Sequence, residues 1–155
     1  LSKFKDYKAL LVVNVASLCT YTDSNYKQLD QIREEFKDKD FKYLLSLQSI
    51  PKSIAWNSGR YKEVCELKLQ REIPIFEKID VNGKYTHPVY CWLRSNSEMW
   101  NTQSNECEKI QWNFTKFLLD KNGKVVQVFK PTKDLTPVRI AINRFWQIND
   151  DFTYQ

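Results

Sequence analysis

The chain has 155 residues, with 24 Lys and Arg against 19 Asp and Glu for a formal net charge of +5; that is length for one domain with a real core, and a single domain over residues 1–155 is expected. The charges are interleaved, as in Arg33-Glu34-Glu35 and Lys37-Asp38-Lys39-Asp40, so they read as a solvated surface and argue against a nucleic-acid binder. No apolar run approaches the length that crosses a membrane, and Leu1 to Lys8 is too charged for a signal core, which leaves a soluble protein as the expectation.

Ser2 to Lys8 is a polar lead-in with Phe4 and Tyr7 able to pack. Ala9 to Val15 follows as a Val-rich, nearly all-apolar run interrupted only by Asn14, the pattern of a strand covered on both faces. Asp23 and Ser24 stand where a cap belongs, ahead of a helix from about Ser24 to Asp38 with Tyr26, Leu29, Ile32 and Phe36 on one face. Phe41 to Leu47 is a second buried strand, and strand, helix, strand at this spacing implies a parallel βαβ unit. Gln48 to Gly59 has the Pro, Ser, Asn and Gly content of a loop, and Arg60 to Arg71 is roughly helical. Ile73 to Val81 reads as extended and is turned by Asn82-Gly83. His87-Pro88 opens another helix with Val89, Tyr90, Trp92 and Leu93 as its apolar face, while Ser95 to Glu108 is polar and irregular. Trp112 to Leu119 and Lys124 to Phe129 are β-rich runs joined by Asp120-Lys121-Asn122-Gly123, a strong hairpin signal. Thr136-Pro137 opens a last helix to about Ile148, with Val138, Ile142, Phe145 and Trp146 as core candidates.

The cysteines Cys19, Cys65, Cys91 and Cys107 and the single histidine, His87, have no CxxC and no Cys/His ligand spacing, which argues against a structural zinc site. Cysteine is too sparse here for a secreted disulfide scaffold, so an intracellular thiol protein is expected, cytoplasmic or alternatively mitochondrial. The chain opens on Leu1 rather than Met, and a targeting segment ahead of it is compatible with that. Cys19 falls in a loop between a parallel-type strand and a helix start. Open α/β sheets carry their chemistry at the carboxyl ends of strands, and helix N-terminal amides favour a thiolate. Cys19 is therefore the candidate reactive thiol, with a small core residue as the alternative reading.

A βαβ half followed by a ββα half is the thioredoxin-like layout, an α/β fold with a mixed central sheet flanked by helices. Cys19-Thr20-Tyr21-Thr22 in place of CxxC disfavours a simple dithiol oxidoreductase. The stretches NVASLCTYT, PIFEKIDVNGKYTHPVY and IQWNFTKFLLDKNGKVV resemble glutathione peroxidases, in particular the cysteine-containing, thioredoxin-dependent or phospholipid-hydroperoxide-type branch. The resemblance spans Phe4 to Ile148. It implies that Cys19 is the peroxidatic residue and that Trp112 and Asn113 are catalytic donors, an indole N–H and an amide that assist a thiolate and a peroxide oxygen without titrating. The family's fourth polar residue, a Gln in an NQF motif, falls where this chain reads SLQSIPKS. Gln48 fits with a two-residue deletion, whereas ungapped alignment places Ile50 there. Thr20 also replaces the Gly that commonly follows the peroxidatic residue. Cys65 precedes the PIF segment as the resolving cysteine does in the thioredoxin-dependent branch, with a buried small residue as its alternative. Cys91 is read as core packing, Cys107 as a loop residue and His87 as structural.

The function so implied is reduction of hydrogen peroxide and organic or lipid hydroperoxides, with thioredoxin or glutathione as reductant and no metal, flavin or haem. The alternative, drawn from Thr20 and SLQSIPKS, is a catalytically weakened peroxidase-like subunit with a structural or redox-signalling role in a larger assembly. Tetrameric members carry a long insertion before WNF, and Ser95 to Gln111 is too short for it, so a monomer is expected unless the chain is recruited into an assembly.

Overall fold

A computed structural model describes residues 2–4, 6–16, 19–48 and 75–150. Readings that fall on 49–74, the expected loop and helical stretch with Cys65 and Ile50, lie outside the described residues.

The centre of the molecule is β1 (Ala9–Val15), every residue of which is buried. It pairs in parallel with β2 (Phe41–Gln48), which pairs in parallel with β3 (Ile75–Ile79). On its other edge β1 pairs antiparallel with β6 (Lys116–Asp120), and β6 with β7 (Val125–Phe129). Among the described residues this is a mixed five-stranded sheet in the order β3-β2-β1-β6-β7, the thioredoxin-like α/β arrangement expected. Period-two alternation divides β1 between two cores. Ala9, Leu11, Val13 and Val15 face one side with α1 (Thr22–Glu35) and α3 (Thr136–Asp150). Leu10 and Val12 face the other with Phe4, Tyr7 and α2 (Pro88–Ser95). Each fully buried Leu, Val or Phe of these clusters contributes about 1.5–3 kcal/mol relative to exposure.

Tyr26, Leu29, Ile32 and Phe36 are all buried on α1, and Val138 and Ile142 on α3. The α1 start differs from the sequence reading: the helix begins at Thr22 with Tyr21 at the cap. Asp23 is exposed and Ser24 Oγ donates back to the Tyr21 carbonyl at 3.2 Å, so neither caps it. At α2, His87 is the cap, its Nδ1 accepting from the Val89 N–H at 3.3 Å. Tyr90 and Leu93 are buried there, but Trp92 is exposed and is not core. α3 runs to Asp150 rather than Ile148. Asp134 receives the Thr136 N–H at 2.9 Å, and bonding to Thr136 holds its carboxyl below the ordinary carboxylate range.

Ser95 to Glu108 is not wholly irregular, because it contains a two-stranded hairpin, β4 (Trp100–Asn101) and β5 (Glu106–Cys107). Two strand residues on each side cannot hold together alone. The buried Arg94 of α2 binds the hairpin's exit, donating to the carbonyls of Cys107 at 3.2 Å and Glu108 at 3.0 Å, and to Val81 at 3.4 Å.

Candidate active site

The loop after β1 carries Cys19, a half-buried free thiol packed against the core on the α1 side. Thr22 fixes its geometry. The Thr22 hydroxyl donates to the Ala16 carbonyl at 3.1 Å and accepts the Cys19 N–H at 3.0 Å, while the Thr22 N–H donates to the Cys19 carbonyl at 2.9 Å. The first residue of α1 thus ties both arms of the loop to the helix. The sulfur sits at the helix entry, where Sγ accepts the Tyr21 N–H at 3.5 Å.

The second part of the site is the Trp112–Thr115 segment. The sequence predicts a strand from Trp112, but Trp112–Thr115 is a turn, and β6 begins only at Lys116. Asn14 is the cause. Its side-chain amide donates to the Trp112 carbonyl at 3.1 Å, and its backbone carbonyl accepts the Phe114 N–H at 2.6 Å. These two bonds curl the segment over the carboxyl end of β1. Phe114 takes a positive φ of 65° and is fully buried, its ring edge-on to Tyr26 at 5.7 Å. A bulky residue in the left-handed region costs on the order of 1–3 kcal/mol and persists only where surroundings impose it.

That turn presents Trp112, half exposed, and Asn113, which is buried. Asn113 Oδ1 has no hydrogen-bond partner among the described residues. A buried polar atom left unpaired costs about 1–3 kcal/mol, so such a group is a natural place for a ligand to bind. Cys19, Trp112 and Asn113 therefore come to one end of the sheet. Among the described residues, however, no hydrogen bond joins the Trp112 indole or the Asn113 amide to Cys19 Sγ. Gln48 ends β2 one residue beyond the Val15–Leu47 pair, at the same sheet end; its side chain, like Cys65, lies outside the described residues. His87 is the exposed helix cap described above. Cys91 is exposed, with Sγ 3.6 Å from the Thr86 carbonyl, which corrects its reading as core packing. Cys107, read as a loop residue, lies in β5 opposite Trp100.

Three residues of this end escaped the sequence reading. Asn14 had a signal, the one polar residue in an apolar strand. Thr22 and Lys116 had none, because a Thr at a helix start and a Lys at a strand start are ordinarily solvated. Removing the hydroxyl with Thr22→Val is expected to raise hydrogen exchange of the Cys19 amide about tenfold, the equivalent of one lost bond of about 1.4 kcal/mol. Thr22→Ser should leave exchange at the wild-type rate, and an equal rise in both would exclude the hydroxyl as the latch.

Among the described residues no group of three His, Cys, Asp or Glu side chains is placed to hold a metal ion, and no helix is long and apolar enough to cross a membrane. The family model described as glutathione peroxidase matches residues 1–94. The pea protein named phospholipid hydroperoxide glutathione peroxidase, chloroplastic, is 43% identical over 133 residues, covering 85% of this chain and 54% of that relative. This chain thus spans about half the length of that relative. A probable glutathione peroxidase 8 of Arabidopsis thaliana is 41% identical over 85% of this chain and 76% of its own length. In three dimensions, the crystal structure of T. cruzi GPX1 superposes with a TM-score of 0.67 at 27% identity, over 94% of this chain and 85% of that one. With Cys19, Trp112 and Asn113 gathered on a thioredoxin-like sheet and a family match over more than half its residues, the chain belongs to the glutathione peroxidase family.

Proposed function

We propose that the chain is a thiol peroxidase acting through Cys19 on hydrogen peroxide and on organic or lipid hydroperoxides. The observation that carries this reading is the meeting, at one sheet end, of a free thiol whose sulfur accepts the Tyr21 N–H and the buried Asn113 Oδ1, which has no partner among the described residues. Cys19 thiolate attacks the terminal oxygen of ROOH, the O–O bond breaks, an S–O bond forms, and ROH leaves after taking up a proton. Trp112, Asn113 and Gln48 are the polar groups assigned to this centre, where donors that do not titrate stabilise charge moving from sulfur to oxygen. The sulfenic acid then condenses with Cys65, releasing water and forming a disulfide. A dithiol protein of the thioredoxin type reduces that disulfide by exchange, and glutathione is the second reductant to test.

We further infer that the chain works as a monomer and as one domain over residues 1–155. Its compartment is intracellular, cytoplasmic or organellar; the pea relative's name places that protein in the chloroplast.

The test is NADPH-coupled turnover of hydrogen peroxide and of a lipid hydroperoxide, with thioredoxin and its reductase in one series and glutathione and its reductase in the other. Turnover with thioredoxin is expected to fall about a hundredfold in Cys65→Ser, because the sulfenic acid then lacks its intramolecular partner and the effective concentration it provides. Full activity of that variant would remove Cys65 from the cycle. Absence of turnover in both series would overturn the peroxidase reading in favour of a weakened subunit.

A further inference from the structure

Lys116 is fully buried, and its Nζ has no hydrogen-bond partner among the described residues. No Asp or Glu among those residues is buried, so no carboxylate shares its site. A buried ammonium without a counter-ion is costly, and burial alone brings the Lys116 pKa down to about 7. The side chain is therefore available as a neutral amine, a base, near physiological pH.

Its placement follows from register. Lys116 opens β6 opposite Val13 of β1 on one side and Phe129 of β7 on the other. Both partners belong to the core beneath α1 and α3, as does Leu118 two residues on. Pleat alternation thus puts the Lys116 side chain on that face. Cys19 packs against the same core. Val13↔Lys116 is also the last β1–β6 pair, at the carboxyl end of β1 from which the Cys19 loop departs. Amine and thiol share one face and one end of the sheet, without a hydrogen bond between Nζ and Sγ.

We propose that Lys116 is the internal proton partner of Cys19, its amine taking the thiol proton so that the ammonium formed holds the thiolate. This rests on the peroxidase reading, within which the step balances. The S–H proton moves to Nζ, the thiolate sulfur bonds the terminal oxygen of ROOH, and the ammonium returns the proton to RO⁻, giving S–OH, ROH and the neutral amine. Among the described residues, no other amine, imidazole or carboxylate is buried on this face. The loop contributes Cys19 and Tyr21, α1 contributes Tyr26, and β2 contributes Tyr43, whose hydroxyl donates to the Leu29 carbonyl and is pushed up in pKa by burial. From α3 come apolar Val138, Ala141 and Ile142, while Arg139 pairs at 2.6 Å with Glu35, at the opposite end of α1 from Cys19. Asp30 and Glu34 are held by Arg33. In this scheme Lys116 is the acid–base group, exchanging its proton with the sulfur and with the leaving oxygen.

The experiment is peptide-resolved iodoacetamide labelling of the reduced full chain between pH 5.5 and 10, comparing wild type with Lys116→Met. In the variant, Cys19 labelling below pH 7 is expected to slow about tenfold, with the inflection raised by about one pH unit and the high-pH plateau unchanged. Cys91, exposed on α2 beneath the other face, is the internal control and should label identically in both. An unchanged Cys19 profile, or a change uniform across pH as a packing defect would give, overturns the inference. Labelling requires no peroxide turnover, so the two readings fail separately. A Lys116-dependent profile in a protein that consumes no peroxide sinks the peroxidase reading alone, and full turnover with identical profiles sinks this one alone.

Discussion

Replacing Cys19 with Ser is expected to lower kcat/KM for hydrogen peroxide by on the order of 10³-fold or more, about 4 kcal/mol of transition-state stabilisation. The substitution is nearly isosteric and leaves in place the Thr22 hydroxyl bonds and the Tyr21 N–H that point to this position. What it removes is ionisation. A thiol reaches the thiolate state near neutral pH, whereas a serine hydroxyl does not, and an alcohol cannot be carried to the sulfenic oxidation level from which a disulfide forms. Loss of turnover with an unchanged melting curve is the expected pattern, followed in stopped-flow peroxide consumption. Activity retained above a tenth of wild type would move the chemistry to another thiol, and the exposed Cys91 is the first to examine.

How much of this was legible follows from whether the cause is local. The Ala9–Val15 run could be read because a strand buried on both faces has a composition that nothing else shares, and the Asp120–Gly123 hairpin because Gly123 takes the positive φ, 81°, that its turn needs. His87-Pro88 is likewise a local signal, a cap followed by the residue that best tolerates the first helical position. Trp112–Thr115 could not be read, since Trp-Asn-Phe-Thr has strand propensity and the bonds from Asn14, 98 residues away for Trp112, overrule it. The β4–β5 hairpin escaped for a related reason: Arg94 of α2, outside the segment, adds the bonds that hold its exit. For the site, the motif residues Cys19, Trp112 and Asn113 were visible as a resemblance, but the parts that hold them were not. Thr22 and Asn14 act through hydrogen bonds that no spacing rule announces.

Lys116 is the residue on which sequence and structure differ most, and its energetic consequence is the larger of the two stability effects expected here. Its pKa lies near 7 in the fold because of burial, against about 10.4 in an unfolded chain. Between those values the unfolded state binds a proton that the native state does not, so native stability falls as pH drops from about 10 toward 7 and levels off below the folded value. The slope in that window is about 1.4 kcal/mol per pH unit, and the accumulated cost at pH 7 is on the order of 4 kcal/mol. Lys116→Met fills similar volume with no charge to desolvate. It is therefore expected to stabilise the protein at pH 7 by that order, with the advantage shrinking to near zero by pH 10. Urea unfolding of both proteins at pH 6.5, 8 and 9.5 measures this, and the titrating groups other than Cys19 are common to both and cancel in the difference. Parallel pH curves would mean that the amine is not desolvated in the native state. A variant that is more stable yet slower to form the Cys19 thiolate would show why a lysine is kept here. A core that accepts a destabilising amine on the face that carries its candidate thiol would give up folding energy for a proton acceptor, the trade expected where a local packing rule is broken at a functional position.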